Sequence, residues 1–297
     1  MSTVEGTKVA VLGAGTMGHG IAQTCAAAGY EVALSDVSEA ALEKARKGIA
    51  GSLDRMVSKS KLSAEARDAT LARVRFVTSI ESAVEGAAVV VEAVPEVMSL
   101  KREVFAKVDA AAPAGALLGS NTSSLSITEM AAGLADPSRL VGLHFFNPVP
   151  VMELLEIVRG VRSAESSVER ALELAKAIGK TAIVVRDVPG FATSRLGVAI
   201  GAEAMRMLES GVASAEDIDR AMELGYRHPM GPLKLTDLVG LDVRLAILEH
   251  LHREVGEQFR PPAILRQMVR AGRLGKKSGE GFYRWGADGS ATPLAVR

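Results

Sequence analysis

The sequence predicts an α/β protein: a doubly wound, mostly parallel sheet whose last strands run antiparallel, carrying an inserted helical hairpin and followed by an all-α C-terminal domain. Three observations carry that prediction. Short apolar runs alternate with helical patterns through the first part of the chain. A long, charged, helical stretch at about 38–73 follows the second apolar run. Beyond Asp187-Val188-Pro189-Gly190 only helical periodicity is evident. The predicted domains are 1–187 and 188–297, as two domains of roughly 150 residues would fill a chain of 297.

The elements follow in order. Lys8-Val9-Ala10-Val11-Leu12 is apolar and ends in glycine, as a buried parallel strand does. Thr16 to Ala28 reads as a helix stopped by Gly29. Glu31 to Asp36 is the second strand, and the hairpin from Ser38 to about Arg73 breaks near Ser60–Ser63. Further strands are expected at Arg75–Val77, Ala88–Val94, Ala116–Ser120, Leu140–Phe145, Glu153–Val158 and Thr181–Arg186, with a helix at about Ala164–Ile178. In the second domain, Phe191 to Ser210 reads as one helix ended by Gly211. Ser214 caps the next, with Asp217 three residues on, and Gly225 ends it. Pro232 suits a first helical turn, Asp242 to Val255 is amphipathic, and Pro261-Pro262 opens a last helix ending near Gly272.

Lys+Arg and Asp+Glu both number 35, so neither nucleic acid nor an anionic membrane is an expected partner. No apolar run reaches the roughly 18 residues of a membrane span. A strand begins within a few residues of the N-terminus, and no signal-like segment is expected. The single cysteine, Cys25, lies in an Ala-rich helical stretch and reads as a small buried apolar residue. One cysteine excludes an intrachain disulfide and suits the cytoplasm.

Gly13-Ala14-Gly15-Thr16-Met17-Gly18 fits G-x-G-x-x-G, follows a strand, opens a helix, and has an acid, Asp36, 18 residues past its last glycine. That context identifies a Rossmann-type dinucleotide site. Gly13 allows the tight turn, Gly15 lets a pyrophosphate approach the backbone, and Gly18 lets the helix pack on the sheet. The helix N-terminus favours the phosphates. Asp36 would accept hydrogen bonds from the adenine ribose and repel a 2′-phosphate, so NAD is expected over NADP; FAD is the competing ligand.

Oxidation of an alcohol also needs a base. Of the five histidines, His144 is placed best, at the carboxyl end of Leu140–Phe145, where open sheets bind ligands. If the chain folds back about Pro150, residues whose numbers sum to 300 face each other, and His144 meets Glu156. Such a carboxylate would fix the imidazole's tautomer. His19, in the first turn of the cofactor helix, reads as exposed, and His228, His250 and His252 as surface or packing residues. No His, Cys, Asp or Glu cluster has metal-ligand spacing. Ser120-Asn121-Thr122-Ser123-Ser124 is rich in hydroxyls for a strand end; it suits a loop or cap, or a ligand contact.

Together these motifs resemble the 3-hydroxyacyl-CoA dehydrogenase family, along essentially the whole chain. Besides the glycine fingerprint, the markers are Val91-Glu92-Ala93-Val94-Pro95-Glu96, Ser120-Asn121-Thr122-Ser123-Ser124, His144-Phe145-Phe146-Asn147-Pro148, Asp187-Val188-Pro189-Gly190-Phe191 and Gly279-Glu280-Gly281-Phe282-Tyr283. The resemblance implies that His144 takes the proton of a 3-hydroxyl while hydride passes to the nicotinamide, with Glu156 paired to His144. It implies that Ser123 contacts the substrate hydroxyl and lies beside the nicotinamide. Glu96, Lys101, Asn147 and Lys277 match positions lining the NAD site; Ser52 and Lys59 match positions contacting coenzyme A. It further implies a homodimer through the C-terminal domain. One departure is Ser194, where relatives often carry Asn; it keeps one hydrogen-bond donor for the reacting oxygen. The expected activity is oxidation of a short-chain (S)-3-hydroxyacyl-CoA. The alternatives are a same-fold dehydrogenase of a free hydroxy acid, such as a sugar acid or carnitine, and a non-catalytic NAD-binding protein.

Overall fold

The computed structural model describes residue 4 and residues 6–294, and the chain divides into two compact units, one running to Val188 and the other starting at Pro189. The first unit is β1 (Lys8–Leu12), α1 (Thr16–Ala27), β2 (Glu31–Ser35), α2 (Glu39–Ser58), α3 (Ala64–Ala72), β3 (Val74–Val77), α4 (Ile80–Val84), β4 (Val89–Glu92), α5 (Met98–Ala111), β5 (Leu117–Ser120), α6 (Ile127–Ala131), β6 (Leu140–Phe145), β7 (Leu154–Arg159), α7 (Glu165–Ala177) and β8 (Thr181–Arg186).

The eight strands form one sheet in the order β3-β2-β1-β4-β5-β6-β7-β8. All neighbours run parallel except β6 and β7. Chain order reverses at β1, with β2 on one side and β4 on the other, so a crevice opens at their carboxyl ends. The central strands are mostly apolar because helices cover both faces: Val9, Val11, Leu34, Val91, Leu117 and Leu143 are all shut from solvent. Cys25, on α1, belongs to this core, and burial pushes its thiol up to about 12.

The antiparallel pair bends back about Pro150. Gly142 lies opposite Val158, Leu143 opposite Ile157, His144 opposite Glu156 and Phe145 opposite Leu155. Each pair sums to 300, as the fold-back about Pro150 requires. The inserted hairpin is α2 and α3. Ser38 and Ser63 cap them, each hydroxyl accepting from the amide three residues on, Ala41 and Ala66. Leu42, Ala45, Ile49 and Leu53 form the buried stripe of α2.

The second unit comprises α8 (Thr193–Glu209), α9 (Ala215–Gly225), α10 (Pro232–Val239), α11 (Leu241–Glu254), α12 (Ala263–Arg270) and two short strands, β9 (Tyr283–Trp285) and β10 (Ala291–Pro293). These strands correct the expectation of a purely helical domain: they pair antiparallel as a small hairpin. Three-residue strands are too short for a periodic signal; the turn residues Gly286-Ala287-Asp288-Gly289-Ser290 are the cue that reveals them. The fully buried Asp237 of α10 pins this hairpin, accepting from the Phe282 and Tyr283 amides and the Trp285 indole, each at 2.9 Å. α8 starts two residues later than expected, because Gly190 and Phe191 both have positive φ, 77° and 49°, which a right-handed helix excludes. No helix among the described residues is long and apolar enough to cross a membrane.

Candidate active site

The cofactor cradle grows from β1. Gly13 has φ 101°, and a Cβ there would lie 2.6 Å from the Ala93 carbonyl oxygen. A Cβ on Gly18 would lie 1.7 Å from the Gly13 carbonyl oxygen, so helix and turn meet only because both lack side chains. Gly15 differs: it is exposed, and an added Cβ would meet nothing within 4 Å. Its bare backbone faces open space at the N-terminus of α1, where no side chain caps the amides and no acid stands in the first turn. Those are the features a pyrophosphate needs, and the group fits.

Asp36 follows β2. Its Oδ2 accepts from the Ala14 amide at 2.8 Å and its Oδ1 from the Ser38 amide at 3.0 Å. The carboxylate is therefore held on the wall of a cavity of about 580 Å³ lined also by Gly13, Gly15, Met17 and Val94. Met17, Ala93 and Val94 line a second cavity as well, of about 320 Å³, with Ser123, His144 and Asn147. Met17, Ala93 and Val94 line both cavities, so the cavity of Asp36 and that of His144 are neighbours.

His144 is almost buried, and Glu156 wholly so. Their side chains lie on the same face of β6 and β7, with His144 Nδ1 2.7 Å from Glu156 Oε2. An ionised Glu156 would only accept, placing the proton on Nδ1 and the lone pair on Nε2. The Phe146 ring packs against the imidazole with centroids 4.5 Å apart.

The remaining sites fall into three groups. Glu96, in the loop after β4, meets the strand-end hydroxyls: its Oε1 accepts from Thr122 Oγ1 at 2.6 Å, the Ser123 amide at 2.9 Å and Ser123 Oγ at 3.2 Å. Burial alone would raise its pKa; the Lys101 charge and the bonds from Thr122 and Ser123 reverse this and hold it below the usual carboxylate range. Asn147 is exposed beside the second cavity. Ser52 and Lys59 stand seven residues apart on α2 and at its C-cap, two turns on one side of the helix. Ser194 and Lys277 belong to the second unit: Ser194 is half-buried in the first turn of α8, and Lys277 pairs with Asp242. His19, expected on the surface, is half-buried; its Nδ1 lies 2.8 Å from the Gly15 carbonyl oxygen and its ring packs against Gly48 of the hairpin.

Sequence reasoning gives Glu92 no role, and reads Ser120 and Thr122 only as part of a hydroxyl-rich strand end that could cap or contact a ligand. Glu92 and Lys101 are fully buried and 2.7 Å apart. Burial pushes the Glu92 carboxyl up, against the pull of Lys101, Ser120 and the Val94 amide. A charged residue inside the apolar run Val89-Val90-Val91-Glu92 is the signal that could have found it, since strands covered on both faces rarely carry one.

Asp36→Ala should narrow the preference for NADH over NADPH by at least about tenfold, by removing the charge that repels a 2′-phosphate. Fluorescence titration of both nucleotides measures it, and a wild-type protein that binds them equally would remove this role from Asp36.

Residues 8–188 match the profile described as 3-hydroxyacyl-CoA dehydrogenase, NAD binding domain, and residues 190–285 match 3-hydroxyacyl-CoA dehydrogenase, C-terminal domain. The chain is 43% identical over 281 residues to a 3-hydroxybutyryl-CoA dehydrogenase of Mycobacterium tuberculosis, covering 94% of this chain and 98% of that one. It is also 43% identical over 285 residues to a 3-hydroxyadipyl-CoA dehydrogenase of Escherichia coli, covering 95% of this chain and 60% of that one. Among solved structures it is similar to (S)-3-hydroxybutyryl-CoA dehydrogenase PaaH1 from Ralstonia eutropha, with a TM-score of 0.90 at 41% identity over 94% of this chain and 99% of that one.

Proposed function

Because the chain belongs to the 3-hydroxyacyl-CoA dehydrogenase family, we propose that it oxidises the 3-hydroxyl of a short-chain (S)-3-hydroxyacyl-CoA with NAD, His144 acting as general base. One observation supports this above the others. His144 lines a cavity next to the dinucleotide crevice, and its Nδ1 lies 2.7 Å from a buried carboxyl that, when ionised, fixes the imidazole in the tautomer with a lone pair on Nε2.

Bound NAD supplies the hydride acceptor. The residues of the chain do the rest. His144 Nε2 receives the hydroxyl proton as the C–H bond breaks, and Glu156 stabilises the imidazolium that forms. Ser123 offers a hydroxyl at the same cavity to orient the substrate oxygen. Ser194, on the second unit, is assigned a contact with that oxygen by the family resemblance alone. Gly13, Ala14, Gly15, Thr16, Met17, Gly18 and Asp36 hold the adenosine and pyrophosphate, while Glu96, with the buried Lys101 behind it, and Asn147 serve the nicotinamide half; Lys277 is assigned to the NAD site by the family resemblance alone. Ser52 and Lys59 meet coenzyme A, Lys59 as an exposed cation suited to its phosphates.

The relatives named for a hydroxybutyryl and a hydroxyadipyl group are equally similar, so overall likeness does not choose the acyl chain. A homodimer through the C-terminal domain is part of this reading, supported by exposed Leu196, Val212, Leu224 and Tyr226 on that unit. A cytoplasmic location fits the single cysteine.

The test is NADH oxidation with acetoacetyl-CoA and with free acetoacetate. We expect the thioester to be favoured in kcat/KM by about 10²-fold or more, since binding of the remote handle is lost in the free acid. Equal turnover of the free acid would replace the substrate by a hydroxy acid. Tight NADH binding without turnover of either, or of longer acyl thioesters, would leave a non-catalytic NAD-binding protein.

A further inference from the structure

Between the strand core and the cavity of His144 runs a chain of charges whose innermost member, Glu92, the proposed chemistry does not use. Glu92 ends β4 and is completely buried, as is Lys101 in the first turn of α5. Glu92 Oε1 accepts from Lys101 Nζ and from the Val94 amide, both at 2.7 Å; Oε2 accepts from Ser120 Oγ at 2.6 Å. Lys101 Nζ also lies 3.4 Å from the Val94 carbonyl oxygen and 3.3 Å from Glu96 Oε2. The other oxygen of Glu96 holds Thr122 and Ser123. Carboxylate, ammonium, carboxylate and hydroxyl thus follow one another from the end of β4 to the end of β5.

Lys101 has no exposed surface, whereas the Glu96 side chain is 37% exposed. The lysine therefore acts on whatever occupies the crevice through Glu96 rather than by touch. A buried ammonium needs an anion, and shared between two it constrains both. Turning Glu96 away would break its bonds to Thr122 and Ser123 as well as its pairing with Lys101.

We propose that Glu92 is a positioning residue: through Lys101 it fixes Glu96, and through Glu96 it fixes Ser123 beside His144. This rests on the proposed function for its kinetic readout, but not for its readout in cofactor binding. Glutamine at 92 keeps the shape: its carbonyl oxygen can still accept from the Val94 amide while its NH₂ donates to the Ser120 hydroxyl. It loses the charge that holds Lys101, so a purely space-filling role for Glu92 would survive the change.

The experiment is a double-mutant cycle of Glu92→Gln and Lys101→Met, with kcat, KM for NADH and for acetoacetyl-CoA, NADH affinity by fluorescence, and thermal melting. Glu92→Gln should lower kcat by about 10- to 100-fold and raise the NADH KM severalfold, with the acetoacetyl-CoA KM within about twofold. The double variant should be no worse than Lys101→Met alone, because one path carries both effects. Multiplying effects, or a Glu92→Gln enzyme with kcat and NADH KM within about twofold of wild type, would overturn the proposal. If Lys101→Met fails to fold, Glu92→Gln with Glu96→Gln gives the same cycle. A wild-type protein inert toward acetoacetyl-CoA would sink the substrate reading instead, and the cycle in NADH affinity would still decide this one.

Discussion

Replacing His144 by glutamine is expected to lower kcat by about 10²- to 10⁴-fold while leaving NADH affinity within about threefold. Glutamine fills similar space on β6 and its amide can still bond Glu156, so the sheet pairing should persist. It cannot take a proton at neutral pH, so the hydroxyl proton has no acceptor as the hydride leaves. The adenosine end of the crevice, built from Asp36 and the glycine turn, is untouched. Steady-state NADH oxidation and NADH fluorescence titration on the same preparation separate the two effects. Turnover within about threefold of wild type would exclude His144 as the base, and the role would have to pass to another group in the cavity.

The second large effect is expected at Glu156. Glu156→Gln keeps volume and position but adds donors where His144 Nδ1 now gives its proton. The amide can instead accept that proton through its oxygen or turn its NH₂ toward Nδ1; the second arrangement moves the imidazole proton to Nε2 and removes the acceptor lone pair. Even in the first, the imidazolium formed in the reaction loses its anion. The corresponding carboxylate-to-amide change in serine protease triads costs about 10⁴ in kcat through the wrong tautomer. A loss of about 10² to 10⁴ is expected here too, with the acetoacetyl-CoA KM little changed, because Glu156 is fully buried and meets the substrate only through His144. A loss confined to KM, with kcat intact, would show that the carboxylate does not act through the imidazole. In that case Glu156 would be a packing element of β7.

Parts of the molecule with local causes are legible in the amino-acid order alone. The glycine turn is one, since Gly13 and Gly18 are required by close contacts around a single strand-turn-helix unit. The cap at Ser214 is another, a hydroxyl three residues before the amide it serves. The pairing of His144 with Glu156 is legible for a subtler reason. Alternation on a strand is strictly two-residue, so fixing the turn at Pro150 fixes every partner across the pair. The start of α8 is misplaced by sequence reasoning because apolar periodicity continues through Phe191, while the positive φ of Gly190 and Phe191 does not announce itself in composition. The hairpin at 283–293 escapes it because three residues cannot display a period.

What the amino-acid sequence determined by itself, then, was the succession of the eight strands along the first unit, the nucleotide turn, and the face on which the imidazole meets its carboxylate. All of these depend on neighbours a few residues away or on a single tight reversal. Only the tertiary structure decided that Glu92, Lys101, Glu96 and Ser123 form one chain, or that Asp237 anchors the C-terminal hairpin. Those partners lie between 5 and 48 residues apart and meet because strand order and helix packing carry them to one buried place within each unit. There the cost of an unpaired charge or polar group selects the partner, and that cost exists only once burial has removed the water.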